Sequence, residues 1–197
     1  SGRINSKGKY SFTYGRLDAL IRMPKTANGL WPAFWLMGDD YDQVGWPACG
    51  ETDIVEMGHA TGMAQGTQDR FFNGACHWGP AWNNKGDYSR DTTAPYGMQD
   101  DFHLYTCIWT EDELAMYYDL DEDPNREPYF RMTITRTAGY ENNELHVGNY
   151  FHKPNFILFN LAVGGNFPGL YDPAQITALN DGPASMYVDY VRLYVKE

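Results

Sequence analysis

Cysteine is scarce: Cys49, Cys76 and Cys107 are the only three. They form no Cys-x-x-Cys pair and no Cys/His zinc spacing, and an odd count does not make a disulfide framework. Long apolar runs are missing too, and none approaches the ~18 residues that a membrane helix needs. Helical periodicity is nearly absent. Basic residues are outnumbered: Lys and Arg total 15 against 26 Asp and Glu, for a net charge of −11. A chain this acidic lacks the basic footprint of a nucleic-acid binder. It is equally unsuited to anionic membranes and polysulfated substrates, which want Arg and Lys clusters. No repeat, linker or low-complexity stretch interrupts the sequence, so residues 1–197 read as one domain. No leader is visible at Ser1-Gly2-Arg3, so the chain reads as processed and its location has to be inferred from chemistry.

Aromatic residues, by contrast, are abundant. They make up 16% of the chain, with 6 Trp and 15 Tyr. On an acidic chain that excess suggests sugar stacking, because the apolar faces of pyranose rings pack on indole and phenol. Short aromatic and β-branched runs alternate with Gly, Pro, Asn and Asp. They predict strands at Lys9–Tyr14, Arg16–Met23, Ala33–Met37, Thr52–Met57, Phe71–His77, Phe102–Thr110, Leu114–Asp119, Tyr129–Thr135, Phe156–Val163 and Ser185–Val195. Strands spaced this regularly indicate an all-β sandwich or barrel. Two longer polar stretches, Trp78–Gln99 and Thr137–Lys153, read as loops of the kind that wall a binding cleft.

The hexapeptide Glu51-Thr52-Asp53-Ile54-Val55-Glu56 is the most informative. Side chains alternate along a strand, so Glu51 and Asp53 share a face and Glu56 points away. One β-bulge between Asp53 and Glu56 returns Glu56 to the first face. The two Glu Cα atoms are then roughly 13 Å apart. Inward-reaching side chains bring the carboxyls to about 5–6 Å, the separation of a retaining glycosidase. A third acid between them disfavours full ionisation and keeps a proton in place near neutral pH. The plain alternative is a solvated acidic edge.

The surroundings of that strand favour the chemical reading. Gly29-Leu-Trp-Pro-Ala-Phe-Trp-Leu-Met-Gly38 precedes it and Gly45-Trp-Pro-Ala-Cys-Gly50 leads into Glu51. Together with Tyr14-Gly-Arg-Leu-Asp-Ala19, Asn160-Leu-Ala-Val-Gly-Gly-Asn-Phe-Pro-Gly169 and Val188-Asp-Tyr-Val-Arg-Leu-Tyr194, the chain resembles glycoside hydrolase family 16. The bulged spacing resembles its laminarinase-type branch. The resemblance implies a β-jelly-roll sandwich, concanavalin A/lectin-like, with a concave cleft. It implies Glu51 as nucleophile, Glu56 as general acid/base and Asp53 as the assisting acid. Trp31, Trp35 and Trp46 match sugar-stacking positions, although a Trp in a β protein is more often core. His77 matches a cleft histidine, with a structural His as the alternative. Trp78 and Trp82 are expected to shape a subsite, and Trp109 and His103 to be core.

The resemblance also implies a structural calcium ion near Asp189, helped by backbone carbonyls, with an exposed edge Asp as the alternative. Members usually carry strands ahead of the Ser1-Gly2-Arg3 block. Ser185–Val195 is therefore expected to have an open edge that recruits a partner segment or a dimer. The expected activity is retaining endo-hydrolysis of β-1,3-glucan or mixed-linkage β-1,3-1,4-glucan, by a secreted, periplasmic or cell-surface protein. The alternatives are hydrolysis of a neutral marine galactan such as agarose and a non-catalytic, lectin-like glucan-binding module.

Overall fold

The computed structural model describes residues 1–195. In chain order its strands are β1 (Gly2–Asn5), β2 (Ser11–Phe12), β3 (Gly15–Arg22), β4 (Leu30–Gly38), β5 (Glu51–Met57), β6 (Phe71–Ala81), β7 (Asn84–Thr93), β8 (Phe102–Trp109), β9 (Glu113–Tyr118), β10 (Phe130–Thr133), β11 (Asn155–Val163) and β12 (Tyr187–Tyr194). Two short helices, α1 (Tyr41–Val44) and α2 (Ala60–Gln65), flank β5. One sheet has seven strands, β1-β11-β4-β5-β6-β7 with β2 also on β11; the other has five, β10-β9-β8-β3-β12. Every strand pair is antiparallel, and the order is far from sequential. This is a jelly-roll β-sandwich.

The alternation of apolar residues explains the layering. Phe34 and Leu36 on β4, Phe72 on β6, and Leu17, Ala19 and Ile21 on β3 all face the space between the sheets and are buried. Tyr105, Cys107 and Met116 close the same core from the five-stranded sheet. Truncating one such large residue to Ala costs roughly 2–5 kcal/mol. On its other face the seven-stranded sheet carries a second, smaller cluster of Ala33, Trp35, Met37, Cys49, Phe156 and Leu158. That cluster underlies the site described below.

Three sequence expectations change. The stretch Trp78–Gln99 is not a loop: β6 runs on to Ala81 and turns back as β7, paired from Phe71↔Thr93 to Ala81↔Asn84. Its residues are too polar to show a hydrophobic period, because β7 is an edge strand exposed along most of its length. The strand β1 was also unforeseen; all four of its residues are exposed, and its pairing with β11 holds it. β4 extends back through Pro32, which pairs with Leu161 of β11 and lies past the last β5 pair, Ala33↔Glu56. The stretch Thr137–Lys153 is irregular, as expected, apart from a 3-10 turn at Val147–Asn149.

Candidate active site

β5 lies at the centre of the seven-stranded sheet, and its register carries the bulge. On the β4 side Phe34 faces Val55 and Trp35 faces Asp53, so Ile54 has no partner. On the β6 side Asp53 faces Ala75 and Glu56 faces Asn73, so Ile54 and Val55 together oppose Gly74. Both bulge side chains are fully buried in the main core. Glu56 therefore swings back to the side of Glu51 and Asp53. The three carboxyls line one open cavity of about 350 Å³, with Trp31, Trp35 and Arg3 on its walls. Just beyond, Gly58 ends the strand in a left-handed conformation where an added Cβ would lie 2.0 Å from the Leu30 carbonyl oxygen.

The carboxyls are buried with few donors. Asp53 is 5% exposed and Glu56 8%. Glu56 accepts one hydrogen bond, from the Trp31 Nε1–H at 2.9 Å. Burial raises the Glu56 pKa to about 7; Trp31 pulls it down and Glu51 pushes it up. Burial likewise raises Glu51 to about 7, against the Trp46 side chain and the cations Arg3 and Lys85. Asp53 is driven well above the usual carboxylate range, by burial first and then by Glu51 and Glu56. The set cannot ionise fully at neutral pH, so a proton stays within it.

His77 stands opposite Glu51 on β6, its Nε2 3.5 Å from an Asp53 carboxyl oxygen. Burial and then Lys85 lower its pKa, with Asp87 opposing, so the imidazole is neutral at pH 7. Its Nδ1 is buried without a protein partner. Trp46 leans on Trp82, with ring centroids 5.1 Å apart, and on His77 at 6.0 Å. Trp31 stacks on Phe167 at 5.0 Å and 9°. Trp35 is 7% exposed; its Nε1–H bonds Asn160 at 2.8 Å and the Arg3 guanidinium sits 5.1 Å from its ring. It is a wall held from two sides.

The structure thus brings Glu51, Asp53, Glu56, Trp31 and Trp35 around one cavity, with Trp46 and His77 beside it. Trp109 is core as expected, and its Nε1–H bonds the Phe151 carbonyl. Trp78 ties the hairpin to the facing loop instead of shaping an open subsite: its Nε1–H bonds the Leu145 carbonyl at 2.9 Å. Asp189 stands apart, exposed on β12 where that strand's register slips between Val188 and Tyr190. Among the described residues it joins no group of three metal-ligating side chains. One carboxylate does not supply the six to eight oxygens of a calcium ion, so the side chains gathered there do not by themselves fit one.

Several residues at the site were not singled out in the sequence. Arg3 and Asn160 line the cavity from β1 and β11. Asn160 lies inside a block that carries the family resemblance and Arg3 near the start of the chain, and only sheet order shows that they converge. Asn73, the cross-strand partner of Glu56, shares its face and holds a buried Oδ1 with no protein partner. Trp82 is 72% exposed beside Trp46.

Residues 1–147 match the family described as glycosyl hydrolases family 16. The chain belongs to that family. The curated relative "Glucan endo-1,3-beta-glucosidase A1" of Niallia circulans is 34% identical over 200 residues, covering 100% of this chain and 26% of the relative. A Bacteroides ovatus mixed-linkage-glucan family 16 protein, solved with a G4G4G3G product, is 41% identical with a TM-score of 0.84. That match covers 98% of this chain and 74% of the other. The laminarinase catalytic domain of Thermotoga maritima is 29% identical with a TM-score of 0.73, over 99% and 69% of the two chains. The chain therefore spans about a quarter of the first curated relative and about three quarters of the most similar of these family 16 structures.

Proposed function

We propose that this domain hydrolyses internal linkages of β-1,3-glucan or mixed-linkage β-1,3-1,4-glucan with retention of configuration. The observation that carries the reading is the bulge that returns Glu56 to the face of Glu51 and Asp53, in a cavity flanked by tryptophans. In the first step the Glu51 carboxylate attacks the anomeric carbon. Glu56 gives its proton to the glycosidic oxygen as the bond breaks, leaving a glycosyl ester on Glu51. In the second step the Glu56 carboxylate takes a proton from water. The hydroxyl adds to the anomeric carbon, Glu51 leaves and Glu56 is again protonated. Asp53, whose pKa burial and then Glu51 and Glu56 push well above the usual carboxylate range, favours its neutral form between them and so adds no third negative charge. Neutral His77 orients Asp53.

Trp31, Trp46 and the exposed Trp82 supply stacking faces for glucose rings. The relatives, an endo-1,3-β-glucosidase and a mixed-linkage-glucan protein, support glucans over agarose. A polymeric substrate of this kind supports a secreted, periplasmic or cell-surface location. The edge of β12, which pairs only with β3 among the described residues, supports one further partner: a partner segment or a second copy that completes the sheet. Tyr187, Val191 and Tyr194 are exposed along that strand, next to a groove lined by Ile4, Leu161 and Met186. Light scattering with intact mass decides this: a compact monomer with no bound fragment contradicts it, and a dimer assigns the edge to a second copy.

The experiment for the activity is reducing-sugar release from laminarin, barley-type mixed-linkage glucan and agarose, with proton NMR of the first product. Release from the glucans with a β-anomer formed first is expected. No release, or an inverted anomer, overturns the reading.

A further inference from the structure

The bulge that assembles the carboxyls has a cost, because it takes Ile54 out of register with both neighbouring strands. A buried carbonyl without a partner is destabilising, and a bulge free to relax re-aims the side chains on either side of it. The Ile54 carbonyl is not left alone. The Tyr129 hydroxyl donates to it, from just ahead of β10 in the opposite sheet. We propose that Tyr129 is a positioning residue for the reaction: its hydroxyl pins the bulged Ile54 carbonyl across the sandwich and so holds Glu51 and Glu56 at their working separation. This rests on the hydrolytic reading above.

Three further features point the same way. Tyr129 is itself anchored: its backbone N–H bonds the Met116 carbonyl at 3.0 Å, and its ring meets Phe72 edge-on at 5.0 Å and 84°. The residue facing the bulge is Gly74, which is where Tyr129 needs room. A Cβ on Gly74 would stand 2.7 Å from Met116 Sδ, 3.2 Å from Tyr129 Cε2 and 3.3 Å from Phe130 Cβ. A side chain at Gly74 and the Tyr129 ring compete for one space. Burial also drives the Tyr129 pKa well above its usual value, so the hydroxyl keeps the proton it donates.

The test is Tyr129→Phe, which keeps the ring and removes only the donor. On the glucan that the wild type cleaves, kcat is expected to fall about tenfold to a hundredfold with KM within about twofold, the scale of a small misplacement of reacting groups. The kcat pH profile is expected to shift or broaden. A variant that melts lower but keeps wild-type kcat and pH profile overturns the proposal, because a purely structural hydroxyl does that. If Tyr129→Phe fails to fold, Gly74→Ala decides. It crowds the ring without removing the hydroxyl; the same kcat loss at unchanged KM supports the proposal, and wild-type kcat overturns it. A wild type inactive on every glucan defeats the hydrolytic reading instead. The positioning claim is then read by carbon-13 NMR titration of the glutamate carboxyls: unchanged Glu51 and Glu56 titration in Tyr129→Phe overturns it, and shifted titration supports it.

Discussion

Two sets of buried acids lie in the two sheets, and the molecule treats them in opposite ways. Asp119, at the end of β9, is 2% exposed. It accepts the Leu104 N–H at 3.0 Å, the Tyr96 hydroxyl at 2.9 Å and a contact from His103 Nδ1 at 2.9 Å. Burial pushes its pKa up, but His103, Tyr96 and Leu104 together bring it below the usual value. Asp53 and Glu56 are buried to a similar degree, Glu51 is half-buried, and the three are given little. One indole donor reaches Glu56, a neutral imidazole stands near Asp53, and all three pKa values rise. An acid that serves the fold is paired until its charge is welcome. An acid that serves chemistry is left short of donors, so that its proton is available to a substrate.

The comparison breaks most visibly at the carboxyls. Glu51→Gln and Glu56→Gln should each lower turnover by at least about a thousandfold while the fold survives, measured by sugar release beside circular dichroism. Azide should restore activity only in Glu51→Ala or Glu56→Ala, by replacing the missing group with a small anion. The same Gln variants should melt higher than the wild type at pH 8 and equally at pH 4. Their folded pKa values, about 7, lie above the ordinary 4.5. Stability from these groups is full below 4.5 and is lost as pH rises through 7. A shift of this size caps the gain at roughly 3 kcal/mol per group. Equal melting at pH 8 would show that the two glutamates are better compensated than the geometry indicates.

At the paired site the sign reverses. Asp119→Ala should destabilise by about 3 kcal/mol in urea titration, because it strands the buried Leu104 N–H, takes a partner from His103 and Tyr96, and places Ala in a left-handed backbone, φ 48°. Asp119 stabilises above its ordinary 3.8 and loses that contribution as pH falls through its lowered folded value. His103 is raised above 6.5 by Asp119 despite opposing burial, so its contribution is full below 6.5 and fades as pH rises past its folded value.

Smaller effects sharpen the contrast. Trp46→Ala and Trp82→Ala should raise KM and weaken oligosaccharide binding by roughly 1–2 kcal/mol, with Trp82→Ala leaving the melting temperature unchanged because its ring is mostly exposed. A fall in melting temperature with unchanged binding would return Trp46 to the core. Trp31→Phe removes the indole hydrogen bond to Glu56 and should move the basic limb of the kcat profile upward, by less than about one pH unit.

Most of the sandwich was legible in the sequence because its strands alternate against a core, and β3, β5, β8 and β9 lie close to where that alternation places them. The strands that escaped, β1 and β7, bury little, so no apolar period marks them. The need for a bulge in β5 was readable from the spacing of three acids along one strand. What holds the bulge was not: Tyr129 is 75 residues from Ile54, and nothing local links a tyrosine before β10 to a carbonyl in β5. Arg3 and Asn160 were hidden for the same reason, since β1 and β11 meet only through sheet order.

The hairpin tip also gives the protein a built-in optical reporter. Trp35 and Trp109 are sealed from water, whereas Trp82 is mostly solvated and rests against Trp46 at the rim of the cavity. Excited near 295 nm, a wavelength that selects indole, the sealed pair should emit at the blue end and Trp82 at the red. Acrylamide should therefore quench the red edge first. A glucan laid across the rim should shield that component and shift the emission to the blue, so that binding is read by eye-level spectroscopy on the unlabelled protein, in Glu51→Gln as well as in the active form.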